Sequence, residues 1–230
     1  MNTKSTVFLI AIFVFILFFS ISFQTKEARA DITTGLVSHY KLDETSGTTA
    51  TDSTGTNTGT LTNSPTWTVG KINNALSFDG VNDYVYLNSP ASLQPTSISV
   101  STWFKTGATS GRIIRKRLSG YYLEITAGKA SFVVAIPSFA SVTSTLTYND
   151  NLWHHAVGLY DGTTLRLYID GSQVASASAS GNITYGAGGI AIGRDGDYSG
   201  SYFNGVIDDV RIYNRALSAD EIRLLYNLGR

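Results

Sequence analysis

The chain has no cysteine among its 230 residues. That absence excludes a disulfide framework, a redox centre, a thiolate metal site and a bacterial lipid anchor. No charge of one sign prevails either: 17 basic residues balance 17 acidic ones. A phosphate-binding surface carries a basic excess, so nucleic acid is not expected as a partner. Glutamate is scarce, and beyond residue 30 only Glu44, Glu124 and Glu221 occur. A glycosidase needs two carboxyls in distinct environments flanking the bond it cleaves, and this supply is thin. The sequence also contains no G-x-S-x-G, H-E-x-x-H or G-x-x-x-x-G-K-S/T, the spacings that carry hydrolase, zinc and nucleotide chemistry. An enzyme is not expected.

What is present begins with a targeting segment. Lys4 precedes an apolar run from Val7 to Phe19, and polar residues then lead to Ala28-Arg29-Ala30. This is the order of a signal peptide with an A-x-A cleavage site, so residues 1–30 are expected to be removed and residues 31–230 to form one exported domain. The alternative is an uncleaved anchor, because Val7 to Phe23 nearly reaches spanning length, and any membrane contact would then run through that segment. Losing Lys4, Lys26, Arg29 and Glu27 leaves 14 basic and 16 acidic residues, a net charge of −2. The expected location is extracellular or on the cell surface. A domain of this length buries roughly 70% of its unfolded surface and needs neither disulfide nor metal to hold a core.

The centre of the chain alternates with period two. Trp153, His155, Val157 and Leu159 fall on one strand face, and Leu165, Leu167 and Ile169 share a face of the next strand. Asp161-Gly162 and Asp170-Gly171 supply the left-handed residues of tight connections, so two successive hairpins are expected here. Leu36 to Leu42 reads as a first strand with Leu36, Tyr40 and Leu42 inward, and Ser97 to Lys105 as another. Further strands are expected near 112–116, 120–126, 130–136 and Ile190 to Gly193. Residues 45–62 hold nine Thr among Gly, Ser and Asn and read as loop. Gly186-Ala187-Gly188-Gly189-Ile190-Ala191 satisfies G-x-G-x-x-A, yet no helical pattern follows to hold a phosphate, so it reads as a turn. A single helix is expected at the end, where Ser218 and Glu221 form a capping box and Leu217 with Ile222 a hydrophobic staple.

Three segments resemble the laminin-G-like jelly-roll domains of the concanavalin A-like lectin/glucanase superfamily. They are Asn73 to Val85 (NALSFDGVNDYV from Asn74), Trp153 to Gly171 (WHHAVGLYDGTTLRLYIDG) and Phe203 to Leu217 (FNGVIDDVRIYNRAL). The likeness covers most of residues 35–227. It implies an all-β fold, a two-sheet antiparallel jelly-roll sandwich with one short C-terminal helix. It also implies the non-catalytic branch, since no strand carries the E-x-D-x-x-E spacing of laminarinase-type members. Many such jelly rolls hold a structural calcium ion between the ends of the first and last strands. By that resemblance Asp43 and Asp208 are the candidate ligands, with Asp79 and Asp209 second. The alternative is that Asp208 caps backbone amides at a strand bulge.

For recognition, sugars take aromatic platforms together with amide, carboxylate and guanidinium hydrogen bonds on loops. The richest such stretch is Arg194 to Tyr202, offering Arg194, Asp195, Asp197, Tyr198 and Tyr202; Tyr121 and Tyr122 follow another glycine turn. The basic group Arg112, Arg115, Lys116 and Arg117 reads as a solvated strand edge, with contact to an acidic glycan as the alternative. Adjacent His154 and His155 point to opposite faces of a strand and cannot share a site. One buried and one near-surface histidine are expected. The expected function is a secreted, non-catalytic binding or adhesion module for a glycan or cell-surface polysaccharide. The alternatives are a structural module that binds surface proteins and, third, a divergent polysaccharide hydrolase.

Overall fold

Period-two alternation over most of the chain produces strands, and the strands stack as two antiparallel sheets. The computed structural model describes residues 30–117, 119–195 and 201–230; the expected signal segment lies outside them apart from Ala30. In chain order the strands begin with β1 (Leu36–Tyr40), β2 (Thr49–Ala50), β3 (Gly59–Thr62), β4 (Thr66–Val69), β5 (Asn74–Asp79) and β6 (Tyr84–Tyr86). Next come β7 (Ile98–Lys105), β8 (Gly111–Lys116), β9 (Tyr121–Thr126), β10 (Lys129–Ala135) and β11 (Phe139–Thr147). The last are β12 (Trp153–Tyr160), β13 (Thr164–Ile169), β14 (Ser172–Ser178), β15 (Ile190–Ile192) and β16 (Asn204–Tyr213), followed by helix α1 (Ala219–Leu228).

The first sheet runs β14-β13-β12-β7-β16-β5-β4, with β1 also on β16; the second runs β11-β10-β9-β8-β15-β6-β3-β2. This is the jelly-roll sandwich that the alternation and the resemblance imply. β16 is the seam of the first sheet. It pairs with β7 along its length, while β5 takes one half of its other side and β1 the second half. Where the halves meet, Asp208 faces Trp103 but Arg211 faces Ser101, so one extra residue bulges out. Asp209 sits there with φ of +49°.

The inner faces hold one core. Tyr40, Phe78, Phe104, Tyr121, Phe132, Tyr160 and Ile207 belong to it. Gly158 is required at one point of closest approach, because a Cβ there would lie 2.2 Å from the Phe132 ring. The outer face of the first sheet is covered as well. Val157, Leu159, Tyr168 and Tyr213 pack against Leu217, Ile222 and Leu225 beneath α1. This is why β12 is apolar on both faces. The capping box forms in both directions, Ser218 Oγ accepting from the Glu221 amide and Glu221 Oε2 from the Ser218 amide at 2.8 Å.

Three expectations need correction. Residues 45–62 are not all loop, since β2 and β3 lie there; Asp52 accepts the amides of His39, Thr54 and Asn57 and so organises a Thr-rich segment that lacks apolar content. Leu36 packs with the helix cluster rather than the main core, because β1 shifts register between Leu36 and Ser38. The basic stretch is no edge either: β8 lies inside its sheet, between β9 and β15.

Candidate functional site

The outer face of the second sheet is where chemistry-bearing side chains collect. Alternation buries Val85, Leu123 and Ile192 in the core and so turns Tyr84, Tyr86, Tyr122, Glu124 and Ala191 the other way. A register shift between Arg112 and Ile114 lets Ile113 and Ile114 both enter the core, which leaves Arg112 and Arg115 outside. Strand pairing then lines up one row across the sheet: Thr60, Tyr86, Ala191, Arg115, Tyr122, Val133, Ser141. Small Ala191 lies fully buried between Tyr86 and Arg115.

The described residues on either side of 196–200, Gly193 to Asp195 and Ser201 to Phe203, lie against this face. Gly193 donates to the Ile113 carbonyl, Arg112 to the Ser201 carbonyl and Phe203 to the Gly193 carbonyl. These bonds place Arg194 with its guanidinium carbon 3.6 Å from the centre of the Tyr84 ring. They also place Asp195 3.1 Å from Arg115 Nε. Arg112 pairs with Glu124, and Arg112 and Arg115 lie 4.9 and 4.5 Å from the Tyr122 ring. Burial first, then the neighbouring Arg115 charge, pulls the Arg112 guanidinium below its ordinary value, against Tyr122 and Asp195. The result is a fixed surface of aromatic rings, cation donors and carboxylate acceptors, each held by a neighbour. Such a surface suits a ligand that both donates and accepts hydrogen bonds and has apolar ring faces.

Of the residues singled out in the sequence, Asp195 meets Arg115 and Arg194 meets Tyr84 on this face, and Tyr202 is half-buried. Asp197 and Tyr198 lie outside the described residues. Tyr121 is a correction: it is fully buried, with its hydroxyl donating to the Leu93 carbonyl, and presents nothing to a ligand. Its neighbour Tyr122 is the one that faces outward. Tyr84, Tyr86 and Glu124 were missed, although Tyr-Val-Tyr alternation at 84–86 was the available signal. Lys116 points to the end of the sandwich, where its ammonium donates to the carbonyls of Gly186 and Gly188. That turn therefore presents carbonyls to a cation, the opposite of a phosphate cradle.

The two histidines separate as strand geometry requires. His155 is buried, its Nε2 2.9 Å from Ser101 Oγ, beneath the stacked Trp103 and Tyr226 rings. Burial lowers it to about 4. His154 lies on the other face between Asp170 and Asp150, at 2.8 and 3.2 Å. Burial opposes its charge, but the two carboxylates outweigh that and raise it.

The metal candidates grip one turn from two sides. Asp208 Oδ2 accepts the amides of Lys71 and Ile72, both at 2.8 Å, and Asp43 accepts from the Asn74 amide and the Asn73 side chain. Asp208 thus does cap amides at the β16 bulge. Burial raises it to about 7, and its Oδ1 is buried without a partner. Of the two carboxylates only Asp208 keeps an open oxygen; both oxygens of Asp43 are turned to N–H donors. Asp79 caps the Val81 and Asn82 amides, and Asp209 is held by His39 and Arg211. Among the described residues no three His, Asp or Glu side chains gather as a metal-binding group.

Residues 78–223 match the family model described as the concanavalin A-like lectin/glucanases superfamily, of laminin-G type. The chain belongs to this superfamily. No curated protein matches it at the sequence level. Among solved structures it is similar to domain 4 of AbnA, a GH43 extracellular arabinanase from Geobacillus stearothermophilus, in complex with arabinotriose. That match has 21% identity and a TM-score of 0.69, covering 85% of this chain and 98% of the other. It is also similar to the binding domain of Paraclostridial Mosquitocidal Protein 1, with 16% identity, TM-score 0.69, and 84% and 52% coverage. A third is the binding domain of botulinum neurotoxin DC in complex with SialylT, with 14% identity, TM-score 0.65, and 85% and 51% coverage. The chain spans about half the length of these toxin domains. At such identities the likeness establishes the shared fold.

Proposed function

We propose that the protein is a secreted, non-catalytic carbohydrate-binding module that holds a glycan on the outer face of its second sheet. The observation that carries this reading is the convergence of Tyr84, Tyr86, Tyr122, Arg112, Arg115, Arg194, Glu124 and Asp195 on one rigid face. Sugar rings stack on tyrosine, and their hydroxyls both donate to carboxylates and accept from guanidinium groups. Tyr202, together with Asp197 and Tyr198, which lie outside the described residues, is assigned to the same site. The fold neighbours support the reading, since one was solved with arabinotriose and another with a sialylated ligand. All three glutamates beyond residue 30 have structural partners: Glu44 accepts the Thr51 amide, Glu124 pairs with Arg112, and Glu221 caps α1. This favours binding over hydrolysis.

The test is retention on a glycan array. The wild-type domain is expected to retain a specific glycan, and Tyr122→Ala, Arg194→Ala and Tyr198→Ala to weaken it at least about tenfold, the loss of one good contact. Melting temperatures within a few degrees of wild type would show that these variants fold. No retention by the wild type, or retention untouched by all three, refutes the reading.

A calcium ion belongs to the same proposal. Asp208 Oδ1 would be its side-chain ligand, and the ion would supply only charge neutralisation of a buried acid. Added calcium is then expected to raise the melting temperature and a chelator to lower it. An unchanged melting temperature in both removes the ion from the reading.

A further inference from the structure

His154 stands at one end of the sandwich core. Strand alternation puts it on the same face of β12 as Ala156 and Tyr160, which are core residues. Its ring lies 5.9 Å from the Phe104 ring and, edge on, 5.0 Å from the Tyr148 ring, and both of these belong to the core as well. Only 13% of the His154 side chain is exposed.

Each ring nitrogen faces a carboxylate from a different connection. Nδ1 is 2.8 Å from Asp170 Oδ2, in the turn between β13 and β14, and Nε2 is 3.2 Å from Asp150 Oδ1, in the loop between β11 and β12. An ionised carboxylate accepts hydrogen bonds and donates none, and a neutral imidazole carries one N–H. Both contacts can be hydrogen bonds only when the ring carries two protons. Asp150, Asp170 and the Tyr148 phenol are the titratable groups facing the ring. Lys105, the one charged residue of β7, lies opposite Trp153 and so points to the other face, as does His155. Burial works against the ring's charge, and the two carboxylates more than offset it.

The two carboxylates are held differently. Asp170 is fixed, because its amide donates to the His155 carbonyl and its Oδ1 accepts the His155 amide at 2.8 Å. The Asp150 side chain is 47% exposed, and its other contact, from the Leu152 amide, lies within its own loop.

We propose that His154 is a pH-operated latch that, doubly protonated, ties the β11–β12 loop to the β13–β14 turn, and on losing a proton keeps Asp170 and releases Asp150. With the remaining N–H on Asp170, the bare Nε2 faces a carboxylate, and two acceptors repel. The loop is then held by the Asn151 amide on the Thr106 carbonyl and the Tyr148 amide on the Gly128 carbonyl, and water reaches the core at Tyr148. Folding raises the value of this ring, so the stability it contributes is complete below pH 6.5 and is lost as pH rises through the folded value.

NMR of the His154 ring across a pH titration, with amide hydrogen exchange on the same samples, tests this. Two protonated ring nitrogens are expected at pH 6.5, with the titration lying above it. Asp150→Asn, which still accepts from the Leu152 amide, is expected to move that titration down. Protection of the Asn151 and Leu152 amides is expected to fall as the wild-type ring loses its proton, and to be independent of pH in His154→Gln. A ring that titrates at or below pH 6.5 overturns the proposal, as does one that Asp150→Asn leaves unmoved. So does wild-type protection that is the same on both sides of the titration.

Discussion

At the scale of single residues, two buried ionisable groups pull stability in opposite directions with pH. His155 falls from 6.5 to about 4 because burial disfavours its charge. The unfolded chain then takes up a proton below pH 6.5 that the folded chain refuses until pH 4, so stability drops as pH falls through that window. The difference amounts to about 3 kcal/mol. Asp208 behaves oppositely. Its value rises to about 7, chiefly by burial and in part from Asp209, so the folded chain gains a proton between pH 7 and 3.8 that the unfolded chain does not. Stability from this group rises as pH falls and is reduced above pH 7. Wild type therefore masks each effect, and single variants reveal them. His155→Gln, which keeps a hydrogen-bonding group beside Ser101, is expected to gain stability relative to wild type as pH is lowered from 6.5 to 4 in urea titrations. Asp208→Asn, in chelator, is expected to be relatively more stable at pH 8 than at pH 4. If a cation neutralises Asp208, adding calcium reverses the sign at pH 8.

At the scale of elements, the apolar period set which strands form but not where each one sits. Tyr121 alternates with Leu123 and Ile125 while Tyr122 alternates with Glu124, so the pair could have been sorted inward and outward from neighbours alone. The place of β8 could not. It is interior because Ile190–Ile192, more than 70 residues later, pairs with it, and no local pattern encodes that. β11, with its Ser and Thr, has the same history: it is a strand because β10 offers a register partner. Two predictions belong here. Gly158→Ala on β12 must displace Phe132 and is expected to destabilise by about 1–3 kcal/mol, the usual result of overpacking. Ser218→Ala removes the cap of α1 and is expected to lower stability by about 1 kcal/mol. Urea unfolding measures both.

At the scale of the whole molecule, the two outer faces differ. Helix α1 covers the first sheet over Tyr213 and Val157, whereas the outer face of the second sheet carries the side chains of the proposed glycan site. A chain truncated after Leu217 would expose that apolar cluster. It is expected to bind a hydrophobic dye strongly and to lose near-UV circular dichroism, whereas wild type does neither. The seal also explains why Ser101 and His155, although close, have no access to a substrate.

The sequence by itself determined the two-layer antiparallel fold, the central hairpins, the capped terminal helix and the separation of His154 from His155. Each of these follows from short-range period, turn chemistry or capping. Only the tertiary structure decided that Arg194 meets Tyr84, that Asp195 meets Arg115, and that β8 lies inside its sheet. These depend on which distant strands share a sheet and on register between them. A one-residue change of register would leave the local pattern intact while moving every one of those side chains to the opposite face.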